Sequence, residues 1–363
     1  MQSLIKEWDG ESVVVSYHRP TDTWVFVAIH DTTLGPAMGG CRLRVYDAPR
    51  DGLRDAMRLA AGMTAKWAVA GFEFGGGKSV LAPPRPLQGA DRVSVLEHFG
   101  DLLESLGGSY MTGEDLGTTP EDMAIIGRRS QWVHGVDGKG DRAVDPGPYT
   151  ALGVFVGMRA FVRQVLGGEL EGRTVLIQGA GDVGRPLAHR LHEAGARLIV
   201  SDVDASRAEG VAKEVDGRTV SPEAAYETEC DVFAPCAVGA VLGTETIPRL
   251  RCRIVAGSAN NQLATDDDAE GLHQRGIWYA PDYVVNAGGA IALPMLGQGR
   301  PKAAIDARIR NIERTMEEIL AEAVERNESP LHSAGRRVQR VLETARGRSK
   351  AGHPIDRPIH TTS

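Results

Sequence analysis

The residues Thr174–Gly184, TVLIQGAGDVG, decide the fold of the second half of the chain. Their apolar start is typical of a buried strand, and the residues that follow have the apolar spacing of a helix. Between them, residues 179–184 (GAGDVG) have the G-x-G-x-x-G spacing of a tight turn. This spacing also arises by chance in a chain with 44 glycines, but a strand before it and a helix after it favour a dinucleotide-binding turn over a tight turn that binds nothing. The six residues predicted to bind the cofactor are Gly179, Ala180, Gly181, Asp182, Val183 and Gly184.

The three glycines of this turn have separate physical roles. Gly179 allows the tight turn, Gly181 lets the backbone approach a pyrophosphate, and Gly184 allows helix and strand to pack closely. Free N–H groups at the helix N-terminus favour the anionic pyrophosphate. Asp202 ends the next predicted strand, where its carboxylate would accept hydrogen bonds from ribose hydroxyls and repel a 2′-phosphate. Because no arginine comes closer after it than Arg207, the sequence predicts NAD rather than NADP as the cofactor.

The residues around this turn continue the same pattern. From residue 173 to about 285, short apolar runs alternate with helical ones, which is typical of βαβ units and a parallel sheet. We therefore predict a Rossmann-type, doubly wound NAD domain over residues 149–325. Residues 135–148 are rich in glycine, proline and charge, and predict a linker or mobile loop in front of that domain.

The first third of the chain predicts a separate α/β domain over residues 1–135. Runs of β-branched residues at 12–17 and 23–28 flank a turn composition and predict a hairpin. Apolar spacing predicts helices over about 52–63 and 92–106. The glycine-rich residues 71–78 predict a loop. Near the C-terminus, two further amphipathic helices are predicted at about 302–326 and 333–344.

Composition limits the class of protein. The 363 residues suggest two domains, and a net charge of -7 does not favour a nucleic-acid partner. No apolar run is long enough for a membrane span, and the charged N-terminus does not resemble a signal peptide. Four cysteines without a C-x-x-C pair predict free thiols and no metal site. We expect a cytoplasmic location.

Two lysines and an aspartate have unusual surroundings in the first domain. Lys78 follows three glycines, Lys66 ends GMTAK, and Asp115 lies in TGEDLGTT. A desolvated lysine with a second cation nearby has a lowered pKa and becomes a base near neutral pH. The alternatives are surface lysines on a flexible loop and a turn or helix-capping aspartate. A P-loop interpretation of Gly77-Lys78-Ser79 fails, because Phe72 stands where that motif needs glycine.

Several segments together resemble the glutamate, leucine, phenylalanine and valine dehydrogenases. They are residues 34–40 (LGPAMGG), GMTAK, FGGGK, TGEDLGTT, APCA at 234–237, GSANNQ at 257–262 and YVVNAGG at 283–289, in order along nearly the whole chain. The resemblance implies two α/β domains, an active site in the cleft between them, and C-terminal helices (326–347) that pack back on the first domain. It also implies a homo-oligomer.

The resemblance also implies residue roles. Lys66 would bind the substrate α-carboxylate, Lys78 would activate water, and Asp115 would transfer protons at the amino group. In the implied reaction, Cα loses a hydride to the nicotinamide, which gives an iminium ion. Water then adds to the iminium carbon, ammonia departs, and a 2-oxo acid remains; the reaction is reversible. Further residues are expected at substrate and nicotinamide: the backbone of Gly39 and Gly40, Asn261 at the substrate and Asn260 at the cofactor, with the reverse assignment of the two amides left open.

The side-chain pocket implied by the resemblance is apolar. Glutamate-specific relatives have a lysine where Met38 stands, and an unpartnered carboxylate buried there would cost several kcal/mol. Gly113 and Leu293 resemble the phenylalanine-type members, and Ala290 adds room. We therefore expect an apolar L-amino acid, phenylalanine slightly ahead of leucine, although such pockets discriminate by only about 1–3 kcal/mol.

Two other classes of protein remain open. A 2-hydroxy acid dehydrogenase would need a His/Arg pair at the reacting carbon, and the lysine and aspartate segments contain no histidine. A non-catalytic NAD-binding module would need only the 179–184 turn and Asp202. Such a module would make both lysines dispensable.

Overall fold

A computed structural model describes residues 2–134 and 145–350. The chain divides into two compact units. Within the described residues, the first unit comprises 2–134, 296–299 and 338–350, and the second comprises 145–295 and 300–337. Our prediction assigned residues 326–347 to the first domain, whereas residues 326–337 belong to the second unit and only the remainder belongs to the first. Most of the predicted linker, residues 135–144, lies outside the described residues.

The first unit contains one mixed sheet flanked by helices. Its strands follow the order β1-β2-β5-β3-β6, and β4 also pairs with β5. The elements, in chain order, are α1 Gln2–Glu7, β1 Ser12–His18, β2 Thr23–Asp31, β3 Ala37–Met38, β4 Cys41–Leu43, α2 Pro49–Ala70, β5 Gly75–Ala82, α3 Gly89–Ser105, β6 Tyr110–Met111 and α4 Pro120–Gly127.

The hairpin prediction is confirmed by the antiparallel pair β1 and β2. The helix predicted over 52–63 is confirmed as part of the longer α2, which ends where Gly71 adopts a positive φ of 68°. The loop prediction for residues 71–78 is wrong in part. The predicted glycine-rich loop is in part strand β5, whose eight residues are all buried. Its glycines serve close packing, because a Cβ on Gly76 would overlap Thr64 of α2, and one on Gly77 would lie 2.7 Å from the Tyr110 ring.

The second unit and the C-terminal helices contain the remaining elements. Helix α5 continues into a π-helical turn, Val162–Leu166. The elements are α5 Gly147–Phe161, β7 Thr174–Gln178, α6 Gly184–Glu193, β8 Arg197–Ser201, α7 Ala205–Glu214, β9 Arg218–Thr219, α8 Pro222–Ala225, β10 Val232–Pro235, β11 Ile254–Val255, α9 Asp268–Gln274, β12 Trp278–Tyr279, α10 Asp282–Val285, α11 Gly288–Gly297, α12 Lys302–Arg326 and α13 Pro330–Lys350.

The sheet of the second unit is parallel throughout, in the order β12-β11-β10-β7-β8-β9. Counted within the unit, this is the 3-2-1-4-5-6 order of a Rossmann fold, so the predicted fold class is confirmed. The order reverses between β7 and β10, and ligands of such sheets bind at the carboxyl ends of the strands there. The sequence pattern did not indicate β9 and β12, because two-residue edge strands are too short to show a period.

Three further observations concern the described part of the chain. All four cysteines are free thiols. No helix there is both long and apolar enough to cross a membrane. Within the same residues, no group of three or more His, Cys, Asp or Glu side chains is arranged to hold a metal ion.

Candidate active site

Lys78 and Asp115 form a buried ion pair in the first unit. The Lys78 Nζ atom lies 2.9 Å from Asp115 Oδ1, and the two side chains are 4% and 14% exposed. Lys78 comes from the middle of β5, opposite Ala28 of β2. Asp115 follows β6 in a turn closed by Thr118, whose hydroxyl accepts from the Asp115 N–H at 3.0 Å and donates to the Cys41 carbonyl at 2.8 Å. The two residues that the sequence singled out are therefore brought together.

The turn alternative describes the backbone of Asp115, whose carbonyl accepts the Thr118 N–H at 3.0 Å, but it does not account for the side chain, and the capping alternative is wrong. The adjacent helix α4 is capped by Thr119 and Asp122, which exchange the two hydrogen bonds of a capping box. The Asp115 side chain instead accepts hydrogen bonds from cations. The P-loop interpretation also fails structurally, since Gly77-Lys78-Ser79 lies within a strand.

Gly39 and Gly40 make the close approach possible. A Cβ on Gly39 would overlap the Gly77 carbonyl, and one on Gly40 would lie 2.7 Å from the Asp115 Cβ and 3.3 Å from Lys78 Nζ. The Tyr110 hydroxyl donates to the Gly39 carbonyl at 2.8 Å. Both glycines are thus required for packing at the ion pair, and their contact with substrate stays a prediction.

A third charged residue, Arg42, contacts this ion pair, and the sequence pattern did not indicate its role. Its Nε donates to Asp115 Oδ2 at 2.9 Å, and its Nη1 donates to Asp55 Oδ2 at 2.8 Å. The Tyr46 hydroxyl donates to the same Asp55 oxygen at 2.7 Å. The one available signal was a charged residue between the apolar residues of C-R-L at 41–43. The site is thus two cations and two anions, buried side by side.

The surroundings shift the pKa values of this cluster. Burial lowers the pKa of Lys78, Arg42 lowers it further, and the attraction of Asp115 does not fully compensate. Burial would raise the pKa of Asp115, but Lys78 and Arg42 hold it well below its usual range. Asp115 is therefore ionised, and Lys78 can lose its proton more readily than an exposed lysine. The sequence suggested Lys66 as a cation that lowers the pKa of Lys78, and the structure shows that Arg42 also lowers it.

Three predicted substrate residues lie in the same unit. Lys66 is on α2 and is 9% exposed. Met38 ends β3 with a buried side chain, and its carbonyl accepts the Trp67 indole N–H at 2.9 Å. Gly113 is buried, and its carbonyl accepts the Cys41 N–H at 2.8 Å. Their roles toward substrate stay predictions.

The glycine turn of the second unit has the geometry predicted for it. Gly179 has a φ of +105°, and its N–H donates to the Ser201 carbonyl at 2.7 Å. A Cβ on Gly184 would overlap the Gly179 carbonyl, whereas one on Gly181 would meet nothing within 4 Å. Gly184 is therefore a packing glycine at the start of α6, and Gly181 faces open space, as close approach of a ligand requires. Ala180, Asp182 and Val183 are the remaining turn residues.

Asp202 stands beside this turn. Its Oδ2 accepts the Ala180 N–H at 2.8 Å, its Oδ1 accepts the Asp204 N–H at 2.9 Å, and its side chain is 6% exposed. Arg207 approaches Asp202 Oδ1 at 3.5 Å. The Asp202 carboxylate is thus fixed at the end of β8. Arg207 lies next to it, although its distance along the sequence had suggested that no arginine was close.

The remaining predicted site residues also lie in the second unit. Asn261 has a positive φ of 51° and is half-buried, and Asn260 accepts the Asn286 amide at 2.9 Å through its Oδ1. Asn286 is buried and was not assigned a role from the sequence. Ala290 and Leu293 are on α11; Ala290 is half-buried and Leu293 is buried.

Fold and site together define a class. A 3-2-1-4-5-6 parallel sheet with a glycine turn is typical of an oxidoreductase that uses a nicotinamide dinucleotide. The lysine–aspartate pair of the other unit has the types of group that general acid–base chemistry uses.

Known proteins specify the family within this class. Residues 21–131 match the family described as Glu/Leu/Phe/Val dehydrogenase, dimerisation domain, and residues 146–206 and 204–345 match Glutamate/Leucine/Phenylalanine/Valine dehydrogenase. Leucine dehydrogenase of Geobacillus stearothermophilus is 39% identical over 94% of this chain and 93% of its own. Phenylalanine dehydrogenase of Thermoactinomyces intermedius is 36% identical over 94% and 93%. The crystal structure of L-tryptophan dehydrogenase from Nostoc punctiforme matches with a TM-score of 0.78 at 35% identity, over 96% of this chain and 100% of that one.

The chain belongs to the glutamate/leucine/phenylalanine/valine dehydrogenase family. It is an amino acid dehydrogenase, which catalyses oxidative deamination, and the resemblance predicted from its motifs is confirmed. Dehydrogenases of this family use NAD or NADP.

Proposed function

We propose that the enzyme oxidatively deaminates an apolar L-amino acid to the 2-oxo acid and ammonia, with NAD as the cofactor. The observation that carries this proposal is the buried contact of 2.9 Å between Lys78 Nζ and Asp115 Oδ1. A lysine with a lowered pKa next to an ionised carboxylate suits proton removal from water and proton transfer to a leaving amine. Neither group is needed for cofactor binding alone, so the pair argues against a non-catalytic NAD-binding module.

The residues of the second unit fit a nicotinamide dinucleotide. The open space in front of Gly181 and the N-terminus of the ten-residue helix α6 suit a pyrophosphate. Asp202 would accept the ribose hydroxyls and repel a 2′-phosphate, which favours NAD. Arg207 weakens that repulsion, so we expect a preference for NAD rather than exclusion of NADP. When bound, the cofactor accepts the hydride from the substrate Cα.

The chain's own residues perform the other tasks. Lys66 binds the α-carboxylate as a buried cation. Lys78, as the free amine, takes a proton from the water that adds to the iminium carbon. Asp115 relays that proton from Lys78 to the amino group of the carbinolamine. The carbinolamine hydroxyl then gives its own proton to Lys78 as the C–N bond breaks, ammonia leaves and the carbonyl of the 2-oxo acid forms, and Lys78 releases the proton to solvent. Because Lys78 and Asp115 each return to their starting state, the same residues serve the reverse reaction.

The substrate side chain is the finer part of the proposal. The side-chain carboxylate of glutamate would need a cation where Met38 stands, so glutamate should be a poor substrate. Gly113 leaves more room than alanine would, which favours phenylalanine over leucine by a small margin. The relatives support an apolar substrate without choosing one, since they are named for leucine, phenylalanine and tryptophan. Ala290 and Leu293 stay predicted pocket residues.

Two further proposals concern the assembly and its location. We expect a homo-oligomer, which the description of residues 21–131 as a dimerisation domain supports. The cytoplasmic location stays a prediction from the sequence.

A cofactor-reduction assay with a panel of L-amino acids tests the proposal. Leucine, phenylalanine, tryptophan, valine and glutamate are each offered with NAD and with NADP, and 2-hydroxy acids serve as the comparison class. We expect turnover with the apolar amino acids, little with glutamate, and more with NAD than with NADP. Turnover with a 2-hydroxy acid, or with glutamate as the best substrate, would contradict it.

A further inference from the structure

Arg42 contacts two carboxylates: Asp115, which belongs to the proposed catalytic pair, and Asp55 beside it. Each oxygen of Asp115 has its own cation, Lys78 Nζ on Oδ1 and Arg42 Nε on Oδ2, both at 2.9 Å. A carboxylate held at both oxygens cannot rotate about its terminal bond without losing one of the two contacts. The orientation of Oδ1 toward Lys78 therefore depends on Arg42.

Arg42 is itself held from the far side. Asp55 of α2 accepts from Nη1 at 2.8 Å, and Tyr46 donates to the same Asp55 oxygen at 2.7 Å. Burial lowers the pKa of Arg42, but Asp115 and Asp55 raise it by more, so the guanidinium stays charged. A planar guanidinium can bridge two carboxylates through a rigid fork, which a lysine ammonium cannot reproduce.

We propose that Arg42 is a positioning residue for deamination: its guanidinium, anchored by Asp55 and Tyr46, orients the Asp115 carboxylate toward Lys78. This inference rests on the roles proposed for Lys78 and Asp115. Arg42 is assigned no contact with substrate and acts through Asp115.

The charge around Lys78 sets the sign of the expected pH effect. Asp115 and Arg42 flank it, Asp55 lies behind Arg42, α2 also carries Lys66, and β4 contributes the Cys41 thiol, whose pKa is raised to about 12 by burial. Arg42 lowers the pKa of Lys78, whereas Asp55 raises it. Removal of the two charges should therefore move the ionisation of Lys78 in opposite directions.

The experiment measures kcat, KM and the pH profile of kcat/KM for deamination by the full chain. In Arg42→Gln we expect kcat to fall roughly 10²-fold, because a misplaced proton carrier is inefficient, and the acid limb to move to higher pH. In Arg42→Lys the charge remains but the fork is lost, so kcat falls while the acid limb stays near that of the wild type. In Asp55→Asn the acid limb moves to lower pH.

Arg129→Gln is the control, because Arg129 forms a two-bond ion pair with Asp101 in the same unit, away from Lys78. It should change neither kcat nor the pH profile. Circular dichroism and thermal unfolding give the folded fraction of each variant, so that kcat is counted per folded enzyme. Wild-type kcat with an unmoved acid limb in Arg42→Gln overturns the inference. If that variant does not fold, wild-type kcat in Arg42→Lys together with an unmoved limb in Asp55→Asn overturns it.

Failure of the proposed function has a different signature. If Lys78→Ala retains turnover, the roles of Lys78 and Asp115 are wrong, and Arg42 has nothing to position. If Lys78→Ala is inactive while the Arg42 variants behave as wild type, only the inference about Arg42 is wrong.

Discussion

The lysine–aspartate cluster of the first unit and the glycine turn of the second are built from opposite materials. The cluster consists of four charges with side chains at most 14% exposed, and they come from two strands, a helix and a loop: Lys78, Asp115, Arg42 and Asp55. The turn is formed by the backbone of six consecutive residues, three of them glycines, and Asp202 accepts a hydrogen bond from its Ala180 N–H.

The difference separates two kinds of failure. Loss of one buried charge leaves its partners uncompensated, so it affects ionisation and chemistry at once. Loss of a packing glycine moves a backbone turn and affects what the turn can bind, without changing any charge. Substitutions in the two regions should therefore have different effects, on the chemical step in the first and on cofactor binding in the second.

The largest effect is expected for Lys78→Ala. Loss of the base should lower kcat by up to about 10⁴-fold, while the affinity for NAD, measured by NADH fluorescence, stays close to that of the wild type. The exposed Lys213 on α7 provides the matched control, since Lys213→Ala should change neither quantity. Retained turnover in Lys78→Ala would remove the chemical distinction between the two regions.

The glycine turn should fail by a different route. Gly184→Ala forces a Cβ against the Gly179 carbonyl, so we expect a loss of about 1–3 kcal/mol in unfolding free energy together with weaker NAD binding. Gly181→Ala meets no protein atom within 4 Å, so its Tm should stay unchanged while NAD binding still weakens. Thermal unfolding and NADH titration separate the two variants. Equal Tm losses in both would contradict the packing assignment.

A smaller effect is expected where the turn meets a charge. Asp202→Asn keeps an acceptor for the Ala180 N–H but removes the negative charge, so the NAD-to-NADP ratio of kcat/KM should fall roughly 10–100-fold, as for the loss of a charged hydrogen bond. Addition of Arg207→Ala should restore part of the preference, because the 2′-phosphate then loses a cation. A ratio unmoved by Asp202→Asn would show that this carboxylate does not select the cofactor.

The smallest effect is expected at the edge of the catalytic unit. Gly113→Ala should shift the phenylalanine-to-leucine ratio of kcat/KM toward leucine by about tenfold, the lower end of what one methyl group achieves. NAD affinity should not change, since Gly113 lies in the unit without the glycine turn. Comparison of the two substrates under identical conditions checks the expectation. An unmoved ratio would mean that Gly113 does not line the side-chain pocket.

The same contrast explains how far the sequence could be interpreted. The hairpin β1–β2, the strands β7, β8, β10 and β11 and the helix α12 follow from local patterns, because each pattern is complete within a few residues. The glycines of β5 misled the prediction, since glycine is typical of loops. Only the tertiary structure shows that Thr64 and Tyr110 pack where their side chains would stand.

By itself, the sequence determined the Rossmann unit, the glycine turn and the resemblance to amino acid dehydrogenases, and it made Lys78 and Asp115 candidate catalytic residues. Only the tertiary structure decided what surrounds them. Arg42 and Asp115 are 73 residues apart along the chain, yet they share a hydrogen bond. A turn made of neighbouring residues carries its geometry in local sequence. A charge cluster gathered from distant segments exists only after the chain has folded, so its partners, and the pKa shifts they cause, cannot be found from spacing.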